Sequence, residues 1–345
     1  IEDINQIGLE NRKTLLMSLG IILDFIDSNQ KTFSKNIKKI NNIDRSNDLI
    51  LDFVTLRDLE ITKSNSGNEQ NTLFYFMDQT NTAMGGRELR NWLITPTQDL
   101  LKIKSRHNQL EWIKNNKIQL IETDEILKKI SDLERIINRV ENKTSNYRDI
   151  ISIYESIIQL PLIKKMFKSS KFKFESNSED LRKLSKYLNY AIDTNKLSEI
   201  QTQLPIKKGF NKEFDELIDL KFQSNNSILK LEKKEKEASG INNLKISFNR
   251  VFGYYFEVTK SNLDSVPNYF IRRQTLANSE RFYTEELKIL EEKILNADEK
   301  ISSLENLIFI QICEEISQYK SQILNMSNDI SLVDTLYSLY KVANQ

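Results

Sequence analysis

The chain has 345 residues, 29% of them charged and 39% hydrophobic, with 50 Lys+Arg against 49 Asp+Glu and a mean hydropathy of −0.50. That balance excludes a chain-wide cationic surface, so any basic patch has to be local. One histidine, His107, and one cysteine, Cys313, exclude an intrachain disulfide and zinc sites of the usual Cys/His type, and they leave a Ser-His-Asp triad a single possible base.

The lone cysteine fits a reducing compartment. The longest apolar runs, such as Leu307 to Ile310, are too short to span a bilayer, and no secretory signal is visible. The first residue is Ile1 rather than Met, so a piece of a longer protein is expected. There are 8 Gly and 4 Pro, with no Gly between Gly86 and Gly209, which points to long helices and few tight turns.

In chain order, Leu15, Leu16, Leu19, Ile22, Leu23 and Ile26 recur at helical spacing. Leu49 to Leu56 is an apolar run too compact to type, and Ser64 to Gln70 reads as a loop. Asn71 to Asp78 and Gln79 to Gly86 lead into a helix with Leu89, Trp92 and Leu93 on one face, ending before Pro96. Gly85-Gly86 reads as a turn that lets this helix pack closely, and Asp78, Thr80 and Thr82 as caps or turn residues. Further helices follow, one carrying Leu133, Ile136, Ile137 and Val140, with a turn at Asn142 to Asn146. Helices are then expected from Asp149 to about Leu160 and from Ser178 to about Asp193, separated by a basic surface loop at Lys164 to Lys173.

After a break at Leu204 to Gly209, a charged helix runs from Asn211 to Ala238 with a thin stripe of Leu217, Leu220, Ile228 and Leu231. Ser239-Gly240 is its stop signal. The period then becomes two. Leu244, Ile246 and Phe248 alternate with polar residues, as do Tyr254, Phe256 and Val258, predicting a hairpin; Tyr269 to Thr275 is a candidate third strand. From Thr284 the helical period returns. Leu287, Ile294, Ile301 and Ile308 stand seven apart with Leu290, Ala297 and Leu304 between them, until Gln311 breaks the series. A helix from Glu285 to Ile316 would be roughly 50 Å long. The simplest arrangement is an antiparallel helical pair presenting a small β tip.

Between Gly240 and Tyr283 stand Lys245, Arg250, Lys260, Arg272, Arg273 and Arg281 against Glu257, Asp264 and Glu280, six minus three or +3. Gln274, Thr275, Asn249, Asn268 and Asn278 surround them. Cations with amides and hydroxyls suit phosphate oxygens. An ordinary solvated β surface would have the same composition.

The block Leu244-Lys-Ile-Ser-Phe-Asn-Arg-Val-Phe-Gly-Tyr-Tyr-Phe-Glu-Val258 and the block Tyr269-Phe-Ile-Arg-Arg-Gln-Thr-Leu-Ala-Asn-Ser-Glu-Arg-Phe282 resemble the clamp domain of MutS mismatch-repair proteins. Arg57-Asp-Leu-Glu-Ile61, Asn71 to Asp78, Met84-Gly-Gly-Arg87, Trp92 to Pro96 and Ser131-Asp-Leu-Glu-Arg135 are similar to that family's core, or lever, domain. The resemblance implies a mainly α fold with a small antiparallel β clamp: core 1–211, clamp 212–302 (stalk 212–239 and 284–302, tip 240–283) and return helices 303–345.

It further implies contact with the backbone of double-stranded DNA, without sequence preference, by Arg272, Arg273, Gln274, Thr275, Asn278 and Arg281, with Lys245, Asn249 and Lys260 as weaker candidates. Tyr254, Phe256, Phe248 and Tyr269 are expected to build the clamp core, and Arg281 is alternatively an ion-pair partner of Glu280 or Glu285. No Gly-x-x-x-x-Gly-Lys-Ser/Thr occurs in the chain. Mismatch reading, ATP hydrolysis with its ATP and Mg, and pairing with a second MutS subunit are therefore expected of a longer parent at the cytoplasmic nucleoid, with no enzyme activity, cofactor or membrane contact in this piece. The alternatives are a coiled-coil scaffold for protein partners, motivated by the heptads, and a MutS paralogue without a repair role. A hydrolase using His107 has no recognisable nucleophile beside it.

Overall fold

A computed structural model describes residues 13–29, 47–170, 172–193, 205–249 and 251–344. It is mainly helical with one four-stranded antiparallel sheet. The chain forms two compact units, residues 1–79, 88–114 and 338–345 in the first, 80–87 and 115–337 in the second.

The first unit contains α1 (Lys13–Asn29), α2 (Phe53–Asp58) and α3 (Leu73–Met77). The second half of the apolar run that could not be typed becomes α2, started by Asp52, whose Oδ1 accepts from Thr55 N at 2.7 Å. α3 is capped likewise by Thr72. The next helices are α4 (Ala83–Ile94), which passes from the second unit into the first, and α5 (Leu100–Asn115). The Arg106 guanidinium lies 3.4 Å from the Trp92 ring centre, while Trp92 Nε1 donates to Glu88 at 2.6 Å.

The second unit carries α6 (Thr123–Leu127), α7 (Leu133–Glu141), α8 (Tyr147–Ile157), α9 (Leu160–Met166) and α10 (Ser178–Ala191). Leu133, Ile136, Ile137 and Val140 are all buried, as their spacing predicts. The expected basic loop at Lys164 to Lys173 needs correction. Pro161 starts α9 just before that stretch, the helix runs into it, and Phe167 and Phe172 are buried within it, as is Ile163 beside it. The lysines conceal an apolar pattern that packs against the body.

Gly85-Gly86 is not a turn but lies within α4. The close packing holds, because a Cβ on Gly85 would collide with the Asp334 carboxylate. Thr82 acts as an N-cap, its Oγ1 accepting from Gly85 N at 3.0 Å. Two stretches of the family resemblance meet here. Arg87 makes a bidentate contact with Asp132 at 2.7 and 2.8 Å and reaches Glu134 at 2.7 Å, and the Asp132 hydrogen bond in particular pushes its pKa up.

α11 (Lys212–Ser239) ends where Gly240 takes φ 70, donating its N–H to Lys236 O. The strands follow: β1 (Lys245–Asn249), β2 (Gly253–Thr259), β3 (Ile271–Thr275) and β4 (Ser279–Tyr283). The order in the sheet is β1-β2-β4-β3. The sequence reading missed β4, which is central: five residues with a charged interior, abutting a helix start, carry no alternation of their own. α12 (Glu285–Gln318) then returns, and α13 (Lys320–Ala343) completes the chain. Lys234 pairs with Glu286 and Lys221 with Asp298, both at 2.7 Å. As the number rises on α11 it falls on α12, so the two run antiparallel.

The seam between them departs from expectation. Leu287, Ile294, Ile301, Ile308 and Ala297 are buried as predicted, but Glu291, Glu305 and Ile312 are buried where Leu290 and Leu304 were expected, and burial continues past Gln311 to Ile316. On α11, Leu220 is exposed; Phe214, Ser224, Ile228, Leu231 and Glu235 are buried.

Candidate nucleic-acid interface

The tip has its own core. Ile241, Leu244, Phe256, Val258, Phe270 and Phe282 cluster with Leu231 of α11 and Leu287 of α12, and the cluster draws on no residue outside the helix pair and the tip. The aromatic assignment is half right. Phe256 is 0% exposed and Tyr254 partly buried, but Phe248 and Tyr269 are half exposed, and Phe270 and Phe282 take their places.

Alternation and register define the other face of the sheet. One row crosses all four strands there, since Lys245 faces Glu257, Glu257 faces Arg281, and Arg281 faces Gln274. Arg281 lies 4.3 Å from the Tyr255 ring centre and donates to Gln274 Oε1 at 2.8 Å. The expected partner for Arg281 was Glu280 or Glu285; instead Arg272 meets Glu280, with Nε 2.8 Å from Oε2. A bulge between Arg272 and Gln274 shifts Arg273, whose Nη1 stands 3.7 Å from Glu291 of α12.

Lys260 and Asn278 are brought together, Lys260 N donating to Asn278 O at 3.2 Å beside the turn closed by Leu276 N and Ser279 O. Thr275 ends β3 next to that turn and is exposed. Asn249 has a structural job, its Oδ1 accepting from Val251 N at 2.8 Å to close the β1–β2 turn. Arg250 lies outside the described residues, as does Leu204. Among the described residues Lys245 and Lys260 have no ion pair. Six of the nine candidates therefore form two groups, the row with Lys245, Arg281 and Gln274 and the corner with Lys260, Thr275 and Asn278; Arg272 and Arg273 lie along the β3 edge, and Asn249 is taken up by the β1–β2 turn.

Sequence reasoning missed the stalk carboxylates that touch the tip. Glu232 accepts from Ile246 N at 2.8 Å on the edge of β1, Glu235 accepts from the Tyr269 hydroxyl at 2.6 Å, and Glu291 meets Arg273. The +3 excess counted over 240–283 is thus offset by three charges that a window along the sequence leaves out. Glu235 and Glu291 fall on buried rows of their helices, but the apolar pattern alone did not mark them, since it put Leu290 where the structure buries Glu291.

The hydrogen bond to Glu235, then burial and the charge of Glu235, push the Tyr269 phenol up to about 12. A folded-state value above the ordinary 10.0 means that this contact contributes stability fully below pH 10.0 and loses it as pH rises through about 12. Tyr269→Phe is expected to remove that alkaline component. Paired denaturation curves of both proteins below and above this window check it, and identical pH profiles would refute it.

Among the described residues no group of His, Cys, Asp or Glu is arranged to hold a metal, and no helix is long and apolar enough to cross a membrane. Cys313 is half-buried, 3.6 Å from the Ser145 hydroxyl, and burial pushes its thiol up.

A helical domain from which an antiparallel helix pair carries a separately packed four-stranded sheet defines the class of protein. The chain belongs to the MutS family: the family model described as MutS domain III matches residues 54–339. It is 39% identical over 330 residues to a DNA mismatch repair protein MutS of Pelotomaculum thermopropionicum, covering 94% of this chain and 38% of that one. The corresponding proteins of Caldanaerobacter subterraneus subsp. tengcongensis and Clostridium botulinum (strain Langeland) are 37% and 38% identical, each over 99% of this chain and 40% and 37% of theirs. The chain thus spans about two fifths of the length of these relatives.

Proposed function

We propose that the β tip holds double-stranded DNA by its sugar-phosphate backbone, without reading sequence, and that the α11–α12 pair couples this grip to the rest of a mismatch-repair parent. Lys245, Lys260, Asn278, Thr275 and the exposed end of Arg272 offer the donors; Arg281 and Gln274 hold the row in place, and Arg273 adds charge at the edge. The observation that carries the reading is a polar, partly cationic sheet face set on its own core at the end of two helices, roughly 42 and 51 Å long, in a MutS family member. In the parent, at the nucleoid, the ATPase with its ATP and Mg belongs to another segment, which also carries most of the contact with a second subunit. The scaffold alternative is weaker, because the heptad seam that would recruit a partner helix is filled by α11 of the same chain.

Fluorescence anisotropy with a labelled duplex of arbitrary sequence tests the proposal. Lys245→Ala with Lys260→Ala is expected to weaken binding and to flatten the dependence of log K on log salt by about 0.9 for each phosphate no longer neutralised. Arg272→Ala with Arg273→Ala should also weaken binding. Affinity and salt slope unchanged in both double variants would refute the tip as the contact surface.

A further inference from the structure

Resting on that DNA reading, one pair at the tip is built in an unusual way. Glu280 is 5% exposed and shares the helix-facing side of the sheet with Val258 and Phe282. Its Oε2 stands 2.8 Å from Arg272 Nε, yet that oxygen has no well-aligned hydrogen bond. A carboxylate in such surroundings depends on its countercharge. Arg272 is the opposite: its side chain is 62% exposed, it is engaged through Nε, and its terminal nitrogens have no hydrogen bond among the described residues. The guanidinium is therefore held from behind by a buried anion while its outer edge faces solvent at the rim of the sheet.

We infer that Glu280 attenuates the DNA grip, because its carboxylate neutralises Arg272 in the free protein and competes with duplex phosphate for the same guanidinium. The exposed terminal nitrogens form the fork that a phosphate takes bidentately. With Glu280 charged behind it, Arg272 neutralises less of that phosphate and releases less counterion. Arg273 is not arranged in this way, since its side chain is only 31% exposed and it faces Glu291 through Nη1, one of its own terminal nitrogens. The consequence is a grip weaker than the arginine content allows.

The test uses the full chain and a labelled duplex in anisotropy across a salt series. Glu280→Gln keeps the shape and removes the charge; Glu280→Met does the same with an apolar isostere, and thermal melts confirm that each folds. Both are expected to bind on the order of fivefold tighter at low salt, with a log–log slope steeper by about 0.9. In an Arg272→Ala background the gain should vanish. Wild-type binding with no gain in either variant, or a gain that persists without Arg272, overturns this inference alone. No binding by the wild type or any variant overturns the DNA reading, and the inference with it.

Discussion

Replacing Asp334 by Ala is expected to destabilise the helical body by roughly 3–5 kcal/mol, the summed cost of several donors that lose a charged acceptor. Asp334 lies on α13 and is 0% exposed. Its carboxylate accepts from Asn81 N at 3.0 Å, Thr82 N at 2.7 Å and Thr82 Oγ1 at 2.7 Å. It thereby caps the first turn of α4 from a helix more than two hundred residues away in the chain. Ala would leave these buried donors without an acceptor, each costing about 1–3 kcal/mol, and would open space beside Gly85. Asn keeps one acceptor oxygen but turns an amide donor toward the same N–H groups, so Asp334→Asn should recover only part of the loss. Urea denaturation followed by circular dichroism measures both. A loss under about 1 kcal/mol for Asp334→Ala would mean that water replaces the carboxylate, and the capping account would be wrong.

Phe256→Ala is expected to cost roughly 3–5 kcal/mol as well, but locally. Phe256 sits at the centre of the tip cluster, 4.9 Å from the Phe270 ring centre, with Phe282 directly across the strand pair. The cluster is small and closed on itself, so the loss falls on the sheet and not on the packing of α7, α8 and α10. Hydrogen exchange should show amides of β1, β2 and β4 opening while those of α8 and α10 keep their protection. Under the proposed function, duplex binding fails in the same variant. Uniform loss of protection across the second unit would show that tip and body unfold as one.

The tip illustrates how unevenly the site could be read from the residues. The β1–β2 hairpin was legible because apolar residues alternate with polar ones over a short span, and its partner helices because Leu287, Ile294, Ile301 and Ile308 keep a strict period. β4 was not, since Glu280 and Arg281 break the apolar pattern from inside. Glu280 is buried all the same, because the cross-strand position opposite Val258 puts it on the inner face whatever its chemistry. The nine contact candidates came from the family resemblance laid over donor chemistry, and the tertiary contacts divide them. Lys245 and Lys260 have no ion pair among the described residues, Asn249 closes a turn, and Arg272 and Arg273 are countered by carboxylates, one from β4 and one from α12.

By itself the sequence determined the long helices, the Gly240 stop, the hairpin and the family, because each depends on neighbours a few residues apart: the i to i+4 repeat, the alternation of a strand, a residue able to take positive φ. Which strand lies in the middle of the sheet, which carboxylate faces which arginine, and that Asp334 caps α4 were decided only by the tertiary structure. Those outcomes depend on groups brought together by the folding of separate strands and helices, where desolvation and direct charge contact outweigh any local preference.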